Sequence, residues 1–237
     1  MLKIEVLFPE ICNLFGNPFN VKYLKNSVKD VEVINTQLTD TPKFLSEKVD
    51  MIYMSPMTES SQELVIEKLK PYKENIKKLV QEGQLFLIIG NALEVFGKYI
   101  ENEDGTKIDG LGITNLYAKR DMMHRFNSLF LGKIEDIKIV GFKSQFAMSY
   151  GDNSNNYVFD VIKGNGINKE SKYEGIRINN FIGTYVLGPL LILNPYFTKY
   201  ILKIMGVENV KLQYEKEAIE CYEKRLKEFE NADTKYD

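Results

Sequence analysis

Hydrophobic and polar positions change period several times along this chain, and each change marks an element. Residues 2–7 form a short aliphatic run that reads as a strand, and Pro9 to Pro18 interrupts it before a helical stretch carrying Val21, Leu24 and Val28. Residues 31–38 alternate as a second strand. Residues 49–54 (V-D-M-I-Y-M) form a third, which stops at Ser55-Pro56. A helical period then runs from about Glu59 to Gln81, with Pro71 as a break or kink. Residues 84–89 are almost wholly apolar, the pattern of a strand covered on both faces of a parallel sheet. Residues 91–99 read as the helix that follows. This β-α-β-α-β-α order predicts a right-handed, doubly wound α/β sheet.

The middle of the chain has another character. Residues 102–112 read as a turn-rich loop. Short alternating runs follow at 113–119, 126–131, 134–142, 157–163 and 175–186, and these predict added strands, partly antiparallel. Two helices close the chain. One is expected to start at Asn194-Pro195, with Asn194 as cap and Pro195 in the first turn. The other, from Gln213 to Glu230, places Ile219, Tyr222, Leu226 and Phe229 on one stripe that should dock on the body. With no repeat, low-complexity tract or linker composition, residues 1–237 are expected to form one domain.

Composition narrows the function classes. The 31 basic residues nearly balance the 33 acidic ones, so no field is built to attract nucleic acid. The lysines at 68, 70, 73, 77 and 78 alternate with Glu67, Glu74 and Glu82, as on a solvated helix face. No apolar stretch approaches the ~20 residues that cross a bilayer. The first eight residues enter a strand directly, which gives no sign of a secretion signal. Cys12 and Cys221 are then expected to be reduced thiols in a cytoplasm. With His124 as the single histidine, a cysteine–histidine metal site is not expected, and no cofactor is predicted.

Three segments carry a resemblance. Residues 5–16 read E-V-L-F-P-E-I-C-N-L-F-G, with a strand, a proline and an Asn-Leu-aromatic-Gly turn; residues 85–97 read L-F-L-I-I-G-N-A-L-E-V-F-G. Residues 174–195 read E-G-I-R-I-N-N-F-I-G-T-Y-V-L-G-P-L-L-I-L-N-P, and the stretch Asp109-Gly110-Leu111-Gly112-Ile113 matches as well. In order and spacing the chain resembles the class I glutamine amidotransferases of the cobyric acid synthase (CobB/CobQ) type, and among them the stand-alone glutaminase subunits of lipid II isoglutaminyl synthase. The resemblance implies a flavodoxin-like three-layer sandwich with a mostly parallel central sheet and added antiparallel strands. It also implies a Mur-ligase-like synthetase as partner.

Glutamine hydrolysis in that family needs a thiolate to attack the amide carbonyl, a histidine to move protons, and backbone N–H groups to hold the oxyanion. The nucleophile belongs on a sharp strand-to-helix turn, within Cys-Gly-Gly-x-Gln. Counted back from Gly97, the cysteine position falls on Gly90, the two glycines on Asn91 and Ala92, and the glutamine on Glu94. The histidine belongs immediately before Gly188-Pro189, where this chain has Leu187. The glycine run that contributes to the oxyanion pocket corresponds to Ser55, Pro56 and Met57; proline has no N–H to donate, and methionine adds bulk. Three lesions in three parts of the machine predict a pseudoenzyme, with Ser55, Pro56, Met57, Gly90, Asn91, Glu94 and Leu187 around a vestigial pocket. Cys12, read as a half-buried turn residue, and His124, read as a loop residue, lie off the family's catalytic positions. Two alternatives stay open: a repurposed site for an amino acid or other small ligand, and a glutaminase of non-standard mechanism.

Overall fold

The computed structural model describes residues 1–236. Its centre is a six-stranded sheet built from β1 (Leu2–Leu7), β2 (Val31–Thr36), β3 (Met51–Met54), β4 (Leu85–Ile89), β13 (Ile176–Ile178) and β14 (Phe181–Thr184), in the order β13-β14-β4-β3-β1-β2. All pairings are parallel except that of β13 with β14 at one edge. Every residue of β3 and β4 is buried, as expected for central strands covered on both faces. One face packs on α2 (Glu59–Leu69), α3 (Lys73–Gln81) and α4 (Ala92–Val95), through Val65, Leu69, Ile76 and Val95. The other packs on α1 (Phe19–Ser27), α5 (Leu190–Leu193) and α6 (Pro195–Ile204), through Leu24, Leu190, Phe197 and Ile201. This is the three-layer α/β arrangement, and the remaining strands, mostly antiparallel, are set beside it.

Those added strands form two four-stranded sheets. The first contains β5 (Tyr99–Glu101), β6 (Lys107–Asp109), β7 (Tyr117–Arg120) and β10 (Ala147–Tyr150), in the order β10-β7-β5-β6. The second contains β8 (Phe126–Ile134), β9 (Ile137–Gln145), β11 (Phe159–Lys163) and β12 (Tyr173–Glu174), in the order β12-β11-β8-β9. Helix α7 (Glu215–Glu230) docks on this second sheet: Tyr222 is buried against Leu131 and Val140, with Leu226 and Phe229 beside it. Among the described residues, no helix is long and apolar enough to cross a membrane.

Several expected elements change shape. The helix expected over 91–99 is a single turn, because the loop at 110–114 folds under its end: the Leu111, Gly112 and Ile113 N–H groups bond the carbonyls of Val95, Gly97 and Phe96. Gly110 allows this approach, since a Cβ there would stand 2.3 Å from the Gly97 carbonyl oxygen. The expected loop at 102–112 contains β6 in a hairpin with β5. The run at 175–186 is two strands turning at Asn179, which has φ 53°. β10 was not expected at all. Asn194 and Pro195 do stand at the N-cap and first position of α6, but the Asn194 side chain makes no capping bond; it pairs with both backbone groups of Val140 on β9, at 2.8 and 2.9 Å. The break at Pro71 is present as a 3₁₀ turn between α2 and α3.

Candidate active site

Strand β4 ends at Ile89, and Gly90 turns the chain with φ +65° into α4. The Gly90 N–H bonds the Thr184 carbonyl at 2.7 Å and extends the β4–β14 ladder by one residue. A side chain at a strand-to-helix elbow points into the space above the sheet. Here that space is taken. A Cβ built on Gly90 would lie 2.7 Å from Pro56 Cβ and 3.1 Å from Leu187 Cδ2. Gly90, Leu187 and Pro56, which the resemblance places at nucleophile, base and oxyanion loop, converge as a glycine between two apolar side chains.

The neighbouring residues tie this contact in place. Leu187 is buried and bridges antiparallel to Phe142, its N–H bonding the Phe142 carbonyl at 2.8 Å. The Pro56 carbonyl accepts from the Leu14 N–H at 3.1 Å. Asn91 grips the 55–57 loop from the other side: the Met57 N–H donates to Asn91 Oδ1 at 3.0 Å, and Asn91 Nδ2 donates to the Met57 carbonyl at 2.8 Å. The Met57 N–H is therefore already satisfied inside the protein. This clamp was not read from the sequence, where Asn91 registers only as a departure from glycine.

What remains open is a cavity of about 90 Å³, bounded by Leu14, Phe15, Pro56, Met57, Asn91 and Leu187 among others. Ligand pockets run roughly 300–1,000 Å³. Arg125, Gln145 and Phe146 lead from it into an open groove of about 740 Å³. These three were not singled out in the sequence; the only local sign was their closeness to His124 and the strand now seen as β9.

Two of the seven expected pocket residues stand behind the wall. The Ser55 hydroxyl turns inward and donates to the Tyr53 hydroxyl at 3.2 Å. Glu94, 3% exposed, faces the interior below the elbow, where Gln62 Nε2 and the Tyr185 hydroxyl donate to its two carboxylate oxygens at 2.8 and 3.0 Å. Burial, with only these donors and the more distant Arg120 opposing it, pushes the Glu94 carboxyl up to about 7. Behind the strand that delivers Leu187, Glu174 accepts from the Tyr185 N–H at 2.7 Å and the Thr184 hydroxyl at 3.0 Å, and forms a fully buried ion pair with Lys143.

The chain's cysteines and histidine offer no substitute dyad. Cys12 is 1% exposed rather than half-buried. It backs the cavity more closely than the sequence suggested, with Sγ 3.8 Å from Met57 Sδ, and burial pushes its thiol up to about 12, so it stays protonated at neutral pH. Cys221 is exposed on α7. The His124 side chain is 82% exposed in the groove and is held by Asp121 at 2.9 Å.

Residues 3–194 match the CobB/CobQ-like glutamine amidotransferase domain. The chain belongs to this family. It is 27% identical over 193 residues to the lipid II isoglutaminyl synthase (glutamine-hydrolysing) subunit GatD of Staphylococcus aureus, an overlap of 81% of this chain and 79% of that one. It is 26% identical over 203 residues to the same subunit of Streptococcus pneumoniae, covering 81% and 76% of the two chains. Among solved structures, a glutamine amidotransferase superposes with a TM-score of 0.59 at 12% identity, over 86% of this chain and 99% of that one. A glutamine amidotransferase from Thermotoga maritima superposes at 0.52 and 10% identity, over 96% and 85%. At those identities the structures speak for the fold alone.

Proposed function

We propose that this chain is a catalytically inactive amidotransferase-family protein that serves as partner or regulator of a Mur-ligase-like synthetase. One observation carries the loss of catalysis: the elbow position is a glycine whose missing side chain would run into Pro56 and Leu187. No thiolate forms at Gly90 and no proton moves through Leu187. Losing nucleophile or base alone costs roughly a million-fold in turnover in a comparable hydrolase. The partner role rests on the kinship with GatD, which is named as a subunit of a synthase. The small volume of the cavity, about 90 Å³, weighs against the second reading, an amino-acid ligand held at the elbow.

Three measurements test this. Purified protein, alone and co-expressed with a Mur-ligase-like synthetase of the same genome, should release no ammonia from glutamine above background. Glutamine analogues that trap active-site thiols should leave it unlabelled. The two proteins should co-elute as one species on size exclusion. Ammonia release that disappears in Cys12→Ala or His124→Ala would replace this reading with a glutaminase of non-standard mechanism. Separate elution at micromolar concentrations would remove the partner role.

A further inference from the structure

Behind the elbow lies a polar chain that the vestigial chemistry does not use. Glu94 on α4 accepts from the Tyr185 hydroxyl at 3.0 Å, and that hydroxyl meets the Ser149 hydroxyl of β10 at 2.8 Å. On its other oxygen, Glu94 accepts from Gln62 Nε2 of α2, which also donates to the Asn91 carbonyl at 2.8 Å. Gln62 Oε1 in turn accepts from Arg120 of β7 at 2.9 Å. Arg120 also reaches the Glu59 carbonyl at 3.1 Å and Asn102 Oδ1 at 3.0 Å and pairs with the Glu63 carboxylate at 3.4 Å, while its Nε is buried without a partner. One carboxyl thus sits where the central domain meets the first added sheet.

We propose that Glu94 is a proton-linked switch, in which uptake of a proton reverses the Glu94–Tyr185–Ser149 chain and removes the buried negative charge that Gln62 links to Arg120. A tyrosine hydroxyl has one proton to give. When Glu94 is ionised, Tyr185 donates to it and Ser149 donates to Tyr185. When Glu94 takes a proton from solvent, its own O–H donates to the Tyr185 oxygen, and Tyr185 turns its proton to Ser149. Gln62 keeps donating to the carbonyl oxygen, so the elbow stays held while the link to Arg120 loses its charge. Tyr185 lines the cavity, so the change reaches its wall.

The charged and titratable groups that face Glu94 are Tyr185, Arg120 and Glu59, and Glu63 of α2 pairs with that same Arg120. Strand β4 presents only apolar side chains to α4, and the buried residue of β5 is Ile100. The balance of burial against two neutral donors and one distant cation places this carboxyl where pH can move it. The switch does not depend on whether the protein has a partner.

Carbon-13 NMR on the full chain tests it, with glutamate Cδ and tyrosine Cζ labelled and pH varied from about 5 to about 9. Glu94 is assigned by the resonance lost in Glu94→Gln. Its Cδ should titrate around neutrality, and Tyr185 Cζ should step at the same midpoint in the wild type but not in Glu94→Gln. Tyr185→Phe should raise the Glu94 midpoint, because a donor to the charged form is gone. A Glu94 midpoint in the ordinary carboxylate range, or a Tyr185 signal flat through the Glu94 titration, overturns the proposal. The wild-type titration of tyrosine signals against glutamate signals decides the matter even where a variant fails to fold.

Discussion

The two sides of the elbow have opposite chemistry. In front, Pro56, Leu187 and the absent side chain of Gly90 make an apolar contact where a nucleophile and a base would face a substrate. Behind, Lys143, Glu174, Glu94, Gln62 and Tyr185 form buried, hydrogen-bonded groups that set the backbone of the same two strand ends. Groups that position the main chain stand behind the elbow, and the groups in front of it are apolar, which fits the proposed loss of the reacting residues. The difference teaches that the architecture of this site is held from the rear, so it survives when nothing in front requires it.

The rear should therefore be the sensitive side. Glu174→Ala leaves the Lys143 ammonium buried with only carbonyl partners and frees the Tyr185 N–H, and breaking such a pair costs about 3–5 kcal/mol. Chemical denaturation should show that loss in Glu174→Ala and a smaller one in the double variant Lys143→Met, Glu174→Leu, which strands no charge. A loss below about 1 kcal/mol in the single variant would mean that the ion pair does not hold this strand end, and the contrast between front and rear would fail.

The front answers to packing. Gly90→Ala puts a Cβ into a left-handed backbone conformation and against Pro56, and the two effects together should cost about 2–4 kcal/mol. Pro56→Gly in the Gly90→Ala background should return part of that loss, because the contact is between those two residues. A thermal melt of the four proteins in this cycle measures the coupling; perfect additivity would show that Pro56 does not close the site.

The sequence made the front legible and left the rear hidden, for a physical reason. Gly90, Pro56 and Leu187 lie in or beside ordered motifs, where a change of residue type at a counted position is visible without coordinates. That residues 49–54 and 84–89 are strands, the second covered on both faces, is equally legible, since both runs are largely apolar and stop at Pro56 and Gly90. Lys143 and Glu174 are 31 positions apart, and nothing in either local pattern says that they meet. The same holds for Asn91 and the Met57 backbone. The one-turn α4 was overread as a longer helix because its end is fixed by a loop that returns from residues 110–114, a long-range event invisible to periodicity.

Glu94 gives a finer test of the rear. Its folded value of about 7 lies above the 4.5 of an unperturbed glutamate, so the native state binds the proton more tightly than the unfolded chain. Its contribution is fully present below about pH 4.5, falls as pH rises through about 7, and is flat above. At about 1.36 kcal/mol per pH decade, that window corresponds to at most about 3 kcal/mol. Glu94→Gln keeps the size and both hydrogen bonds, with its amide N donating to Tyr185. It should remove this fall, leaving the variant about 1–3 kcal/mol more stable than wild type at pH 8. Denaturation curves across pH 5–8 that run parallel for the two proteins would show that the carboxylate is accommodated without penalty.

The smallest effect is expected from the most obvious repair. Gly90→Cys with Leu187→His restores the two reacting groups, yet the new thiol would hang from a Cβ placed 2.7 Å from Pro56 Cβ. Even with that contact relieved, the Met57 N–H donates to Asn91 Oδ1 and is not free for an oxyanion. Glutamine turnover of the two-site variant should stay at background. Replacing residues 55–57 with Gly-Gly-Gly makes room for the thiol, and Asn91→Gly then releases the donor. One oxyanion donor is worth about a hundred- to a thousand-fold in turnover, so the Asn91 change should multiply the activity of the five-site variant by roughly that factor while doing nothing for the two-site variant. Near-native melting curves are the control, since each change also loosens a contact that now holds the site shut. Robust hydrolysis by the two-site variant would mean that the front of the elbow is open after all, and the loop at 55–57 would lose its place in the explanation.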